Sequence, residues 1–108
     1  MPQRIVYVST LGPDVSEDDI AALVDRAVAF NRAHGITGVL AFEDRRACQI
    51  LEGPEAAVEA LFGSISRDPR HAGVTEIVNV PIDAVTFADW GMVRRPMIDM
   101  VVSAFALE

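Results

Sequence analysis

The sequence predicts an α+β fold: a ferredoxin-like βαββαββ plait, with a mixed five-stranded sheet and two helices on one face. Two observations carry that expectation. Apolar, β-branched runs alternate with two apolar stripes at helical spacing, and a further short strand follows. The two middle strands are separated by only a few polar residues and so pair as a hairpin. Each helix then acts as a crossover, which sets the first and third strands side by side at the centre of the sheet.

The run "RIVYVST" (4–10) is the first strand, and "LGPD" supplies turn residues behind it. A helix starts after Ser16, a favourable N-cap, with Asp19 in the capping-box position and Val15 and Ile20 placed for a hydrophobic staple. It runs to His34, where Gly35 ends it. Its apolar stripe is Ile20, Leu23, Val24, Ala27 and Val28, and the next position on that stripe is Asn31. "ITGVLAFE" (36–43) is the second strand, "DRR" a tight connection, and "ACQILEG" (47–53) the hairpin partner. Pro54 is expected at the first position of a second helix with the stripe Val58, Leu61, Phe62, Ile65. Pro69 stops that helix; "VTEIVNVPI" (74–82) is the fourth strand and "TFADWGMV" (86–93) the fifth.

A chain of 108 residues, 51% apolar and 23% charged, has the size and composition of one folded domain. Residues 1–95 form that domain, and the apolar tail 96–108 is expected to pack on it, on a second copy or on a further segment. A net charge of −7 argues against nucleic acid and anionic membrane as partners, since both demand clustered positive charge. Every basic residue is arginine, so lysine Schiff-base and P-loop chemistry have no candidate. One cysteine, Cys48, in an apolar run points to a reduced, cytoplasmic setting. No secretion signal is visible at the start of the chain, and no apolar run approaches the roughly 18 residues of a membrane span. His34 and His71 have no second cysteine or histidine near them, so no metal site is expected. No nucleophile-elbow or zinc-helix pattern occurs, and an enzyme is not expected.

Two polar residues interrupt the apolar pattern. Gln49 lies in the middle of the third strand, and Asn31 ends the stripe of the first helix. Strand parity groups Gln49 with Ala47 and Leu51, and Tyr7 with Ile5 and Ser9, with Cys48 on the opposite face. If these groups face the helices, Tyr7, Gln49 and Asn31 converge on one buried spot, as a polar ligand would require. If the sheet leaves that face open, Gln49 is a solvated residue and Asn31 a helix-end cap.

The blocks "IVYVST", "FNRAHGITGVL", "CQILEGP", "SRDPRHAGV" and "FADWGM", in this order and spacing, resemble the BLUF domains, which are flavin-binding blue-light sensors. The resemblance runs from Arg4 to about Val93. It implies FAD held non-covalently between the two helices, with its ring against the sheet. It implies that Tyr7 passes an electron and then a proton to the excited flavin. Gln49 would bridge Tyr7 to the ring and rearrange its amide, and Asn31 would bind the polar edge. Trp90 and Met92 match the pair that carries the change to the last strand. Arg70, His71 and Asp68 match polar groups near the flavin, and Val24, Val28 and Leu40 match apolar ring contacts.

Three positions depart from the family pattern. Ala47 stands where an aromatic residue is usual, Phe30 where a polar residue is common, and Val85 where an arginine is common. Ala47 therefore leads us to expect a looser or partly refilled pocket. The leading expectation is a photoreceptor that signals through a downstream protein and is itself a homo-oligomer. The alternatives are a BLUF-like interaction module that has lost flavin, and a plait hydrolase of acylphosphatase type. The hydrolase lacks a glycine-rich anion loop after the first strand.

Overall fold

The computed structural model of the chain describes residues 2–69, 71–84 and 93–94. The elements run β1 (Pro2–Leu11), α1 (Glu17–His34), β2 (Thr37–Glu43), β3 (Arg46–Pro54), α2 (Glu55–Arg67), β4 (His71–Pro81) and the two-residue β5 (Val93–Arg94). The four long strands lie in the order β4-β1-β3-β2 and are antiparallel at every junction. β5 pairs in parallel along the outer edge of β2, Val93 beside Val39 and Arg94 beside Leu40. Of the fifth strand expected over 86–93, only Val93 falls among the described residues.

Local chemistry sets the boundaries. At the start of α1 the Ser16 hydroxyl accepts the Asp19 N–H at 3.1 Å, and the Asp19 carboxylate accepts the Ser16 N–H at 2.9 Å. This reciprocal capping box satisfies two otherwise orphaned donors. Gly35 closes the helix at φ 69°, and the Asn31 carbonyl accepts the N–H groups of Gly35 and Ile36. Between β2 and β3, Asp44 and Arg45 have φ 52° and 64°, as the two central residues of a type I′ hairpin turn must.

Two boundaries differ from expectation. Pro54 caps α2 from its extended position at φ −55° and ψ 133° and does not occupy the first helical position. β4 begins at His71, not at residue 74, because its pairing with β1 is interrupted twice. Val6 faces Val78 and Tyr7 faces Glu76, which leaves Ile77 extra. Val8 faces Thr75 and Thr10 faces Ala72, so Gly73 and Val74 both stand against Ser9. Gly73 takes the left-handed conformation at φ 59° that such a bulge needs.

One face of the sheet packs under the helices. Ile5, Tyr7 and Leu51 join Ile36 and Val58 there, against Val24, Ala27 and Val28 of α1 and Leu61, Phe62 and Ile65 of α2. Toward one end of that face, Leu11, Ile20 and Ala47 form a second cluster. The opposite face carries its own buried group of Val6, Val39, Ala41, Cys48 and Ile50. Strand parity adds Arg4 and Glu52 to that face, where they are cross-strand partners joined at 2.7 Å between Nε and Oε2.

Candidate functional site

Tyr7 and Gln49 are direct partners in the β1–β3 register, and Leu40 follows Gln49 across β2. All three face the helices. Gln49 is 7% exposed, so the solvated alternative for its amide does not hold. The Tyr7 hydroxyl donates a hydrogen bond to Gln49 Oε1. The Tyr7 ring is enclosed, with the Phe62 ring 5.3 Å away and the His71 ring edge-on at 6.3 Å. His71 is itself fixed by the Ser9 hydroxyl, 2.7 Å from its Nδ1.

Burial, with smaller contributions from Cys48 and Asp68, pushes the Tyr7 phenol well above its ordinary 10.0. The tyrosine is therefore neutral and keeps its proton at any physiological pH. Cys48, on the far face, has its thiol pushed up by burial and stays protonated and unreactive.

Above the Tyr7–Gln49 pair lies a cavity of about 270 Å³ between α1, α2 and the sheet. Its floor holds Tyr7, Gln49, Leu40 and Ala47. Its apolar walls come from Leu23, Val24 and Ala27 on α1 and from Leu61 and Ile65 on α2. Asn31 reaches in from the last turn of α1 and is 1% exposed, and its Oδ1 atom accepts no hydrogen bond from the described residues. A helix-end cap working in solvent does not fit that burial. Asp68 and His71 line the cavity from the α2–β4 connection and the start of β4. A slot with apolar walls and amide groups on floor and edge fits a planar, polar heteroaromatic ring, and Oδ1 calls for a donor from it.

Residues 3–93 match the model of the family described as sensors of blue-light using FAD. The chain belongs to the BLUF family. This BLUF domain is 35% identical over 79 residues to the photoactivated adenylate cyclase subunit alpha of Euglena gracilis, covering 73% of this chain and 8% of that protein. It is 32% identical over 92 residues to the blue light- and temperature-regulated antirepressor of Escherichia coli K12, covering 85% of this chain and 23% of the relative. The chain thus spans under a quarter of either relative. Among solved structures, BlrB, a BLUF protein in its dark state, superposes with a TM-score of 0.84 at 30% identity. That match covers 98% of this chain and 80% of BlrB.

Of the residues singled out from sequence, Tyr7, Val24, Asn31, Leu40, Gln49, Asp68 and His71 come together around the cavity between α1, α2 and the sheet of this BLUF domain. Val28 packs instead in the core cluster around Ile5 and Tyr7, outside the lining. Arg70, Trp90 and Met92 lie outside the described residues, as does Val85. Ala47 is 1% exposed and packs with Leu11 and Ile20, and all three line the cavity. Two contributors escaped the sequence reading. Ser9, which holds His71, shares the strand parity of Tyr7, and that signal would have found it. Phe62 was read only as part of a core stripe, because its contact with the Tyr7 ring depends on how α2 lies over the sheet.

Proposed function

We propose that this BLUF domain is a blue-light photoreceptor that holds FAD in the cavity between α1 and α2 and signals by rearranging the Gln49 amide. The observation that carries this reading is the hydrogen bond from Tyr7 to Gln49 Oε1 on the cavity floor. FAD, when bound, supplies the absorption of blue light and an excited ring that takes up an electron.

Asn31 holds the polar edge of the ring, Leu40 and Val24 exclude water from its faces, and Asp68, Arg70 and His71 complete the polar surroundings. Tyr7 is the oxidisable group, with a phenolic proton retained by burial. The Gln49 amide has one accepting and one donating end. With Oε1 toward Tyr7, the tyrosine donates and Nε2 is turned elsewhere. After a half-turn, Nε2 donates to the tyrosine oxygen and Oε1 becomes the end available to other donors. These are two distinct networks with the same covalent structure, as a bistable switch requires.

The route outward runs along the sheet. Leu40 neighbours Gln49, and β5 pairs beside Leu40, which supports a fifth strand over 86–93 with Trp90 and Met92 carrying the change to the sheet edge. The domain has no catalytic step of its own. It acts in the cytoplasm, without membrane or nucleic acid, through a downstream protein and as a homo-oligomer. Related chains named as a light-activated cyclase and an antirepressor support protein-level output. No helix among the described residues is long and apolar enough to cross a membrane.

Purified protein is expected to be yellow and to show a small, reversible red shift under blue light. Tyr7→Phe should leave the colour and abolish the shift. A colourless protein that takes up no added flavin sinks the reading, and an unchanged shift in Tyr7→Phe removes Tyr7 from it.

A further inference from the structure

We propose that Ser9 is a positioning residue for the light response: its hydroxyl pins the His71 ring beside Tyr7 and so keeps water from the Tyr7–Gln49 hydrogen bond. The kinetic consequence rests on the photoreceptor reading, to which the inference adds a residue outside the cavity lining.

Tyr7, Ser9 and Leu11 follow one another along the helix-side face of β1. β4 doubles up against Ser9, where Gly73 and Val74 face one residue, and its pairing ends with His71 opposite Leu11. His71 is thereby a diagonal neighbour of Ser9, within reach of a long side chain. Ser9 Oγ lies 2.7 Å from His71 Nδ1, and Ser9 is 5% exposed, so water competes little for that contact. A hydroxyl both donates and accepts, so the contact serves either tautomer of the imidazole.

The second side-chain torsion of histidine is broad and two-fold, so the ring's own stereochemistry does not choose which edge it turns to Tyr7. The serine makes that choice. With Nδ1 held, the imidazole stands edge-on to the Tyr7 ring at 6.3 Å between centroids and 65° between planes. Phe62 covers another part of the phenol ring from α2, at 5.3 Å. Tyr7 is 1% exposed beneath them, whereas His71 is half-buried. His71 is the first residue of β4, beside an interrupted pairing, while Phe62 sits within a continuous helix. The imidazole is therefore the part of the enclosure that needs a tether. A water admitted past a turned ring is nearly as good a partner for the phenol or the amide as they are for each other. Gln49 can then turn back with one of its hydrogen bonds already replaced, and the dark state returns sooner.

The test compares the full chain with Ser9→Ala and Ser9→Thr, the single tyrosine being isotope-labelled at its hydroxyl-bearing carbon so that NMR follows its ionisation. Burial holds the Tyr7 phenol above its ordinary value. Ser9→Ala should bring that titration down and speed dark recovery by about fivefold to tenfold, the rate equivalent of one lost hydrogen bond. Ser9→Thr keeps the hydroxyl and should restore both. In a His71→Phe background, where no ring nitrogen remains to be held, Ser9→Ala should move neither quantity further. If Ser9→Ala does not fold, Ser9→Val against Ser9→Thr makes the same comparison, since both residues suit a strand and differ in the hydroxyl. A contact that only braces β1 on β4 would lower the urea midpoint and leave the phenol titration and recovery rate of the folded protein unmoved. That outcome overturns the proposal, as does an equal effect of Ser9→Ala with and without the imidazole. A wild-type chain without a light response sinks the photoreceptor reading and its kinetic consequence, and the phenol titration then decides by itself whether Ser9 shields Tyr7.

Discussion

Tyr7 is the one tyrosine of the chain, so its ionisation can be followed by ultraviolet difference absorbance without assignment. Its phenol is raised first by burial and then by the nearby Cys48 and Asp68. The folded protein should therefore show no tyrosinate signal as the pH passes 10, and urea-unfolded protein should titrate near 10. The same shift has a stability consequence. The folded state keeps a proton that the unfolded state releases above about pH 10, so the stabilisation is fully present below that pH and is lost as the pH rises toward the folded value. Urea midpoints measured at increasing alkaline pH should fall in the wild type and fall less in Tyr7→Phe. A folded-state tyrosinate signal already complete near pH 10 would contradict the enclosed site. Gln49 and Asn31 were legible at this scale because a carboxamide in an apolar stripe needs a partner. Which groups would meet them depended on register, and the pairing of Tyr7 with Gln49 is a property of the antiparallel β1–β3 ladder.

At the scale of elements, α1 was legible almost to the residue. Its cap, its stripe and its terminating glycine all point to the same boundaries, and local and global preferences agree. β4 was misplaced at its start because Gly73 and Ile77 interrupt the pairing, and a period-two pattern cannot be read through two bulges. The interruption matters to the site, since it lets the strand begin early enough for His71 to reach Ser9 and the cavity. Gly53 was read only as the last residue of the third strand, yet it is where β3 passes against the α1–β2 turn. A Cβ there would stand 2.8 Å from the Gly35 carbonyl oxygen and 3.1 Å from the Ile36 Cα. Both obstacles are backbone, so neither can swing aside. Gly53→Ala should cost about 1–3 kcal/mol in urea unfolding. Because the Asn31 carbonyl accepts the N–H groups of Gly35 and Ile36 in that turn, the variant should also bind flavin more weakly. A midpoint within error of the wild type would show that the turn shifts without cost.

Considered whole, the molecule is a sheet with a different polar feature in each face. The helix side holds the Tyr7–Gln49 pair beneath a cavity, and the far side holds the Arg4–Glu52 pair among apolar neighbours. The second pair was not legible, because each residue reads as an isolated charge in an apolar run until the register places them together. Glu52 is 0% exposed, so its carboxylate has given up its hydration and depends on groups within the protein. Arg4→Met removes the guanidinium 2.7 Å away and should cost about 3–5 kcal/mol of stability in urea unfolding. Arg4→Met combined with Glu52→Leu removes both charges and should recover most of that loss, as apolar replacements of buried pairs commonly do. Neither change touches the cavity, so flavin uptake and the light-induced shift should survive in whatever fraction stays folded. Tyr7→Phe should behave in the opposite way, sparing the fold and removing the shift. If Arg4→Met instead removed the light response while the protein remained folded, the two faces would be coupled through the β1–β3 ladder, and the division between a stabilising face and a sensing face would be wrong.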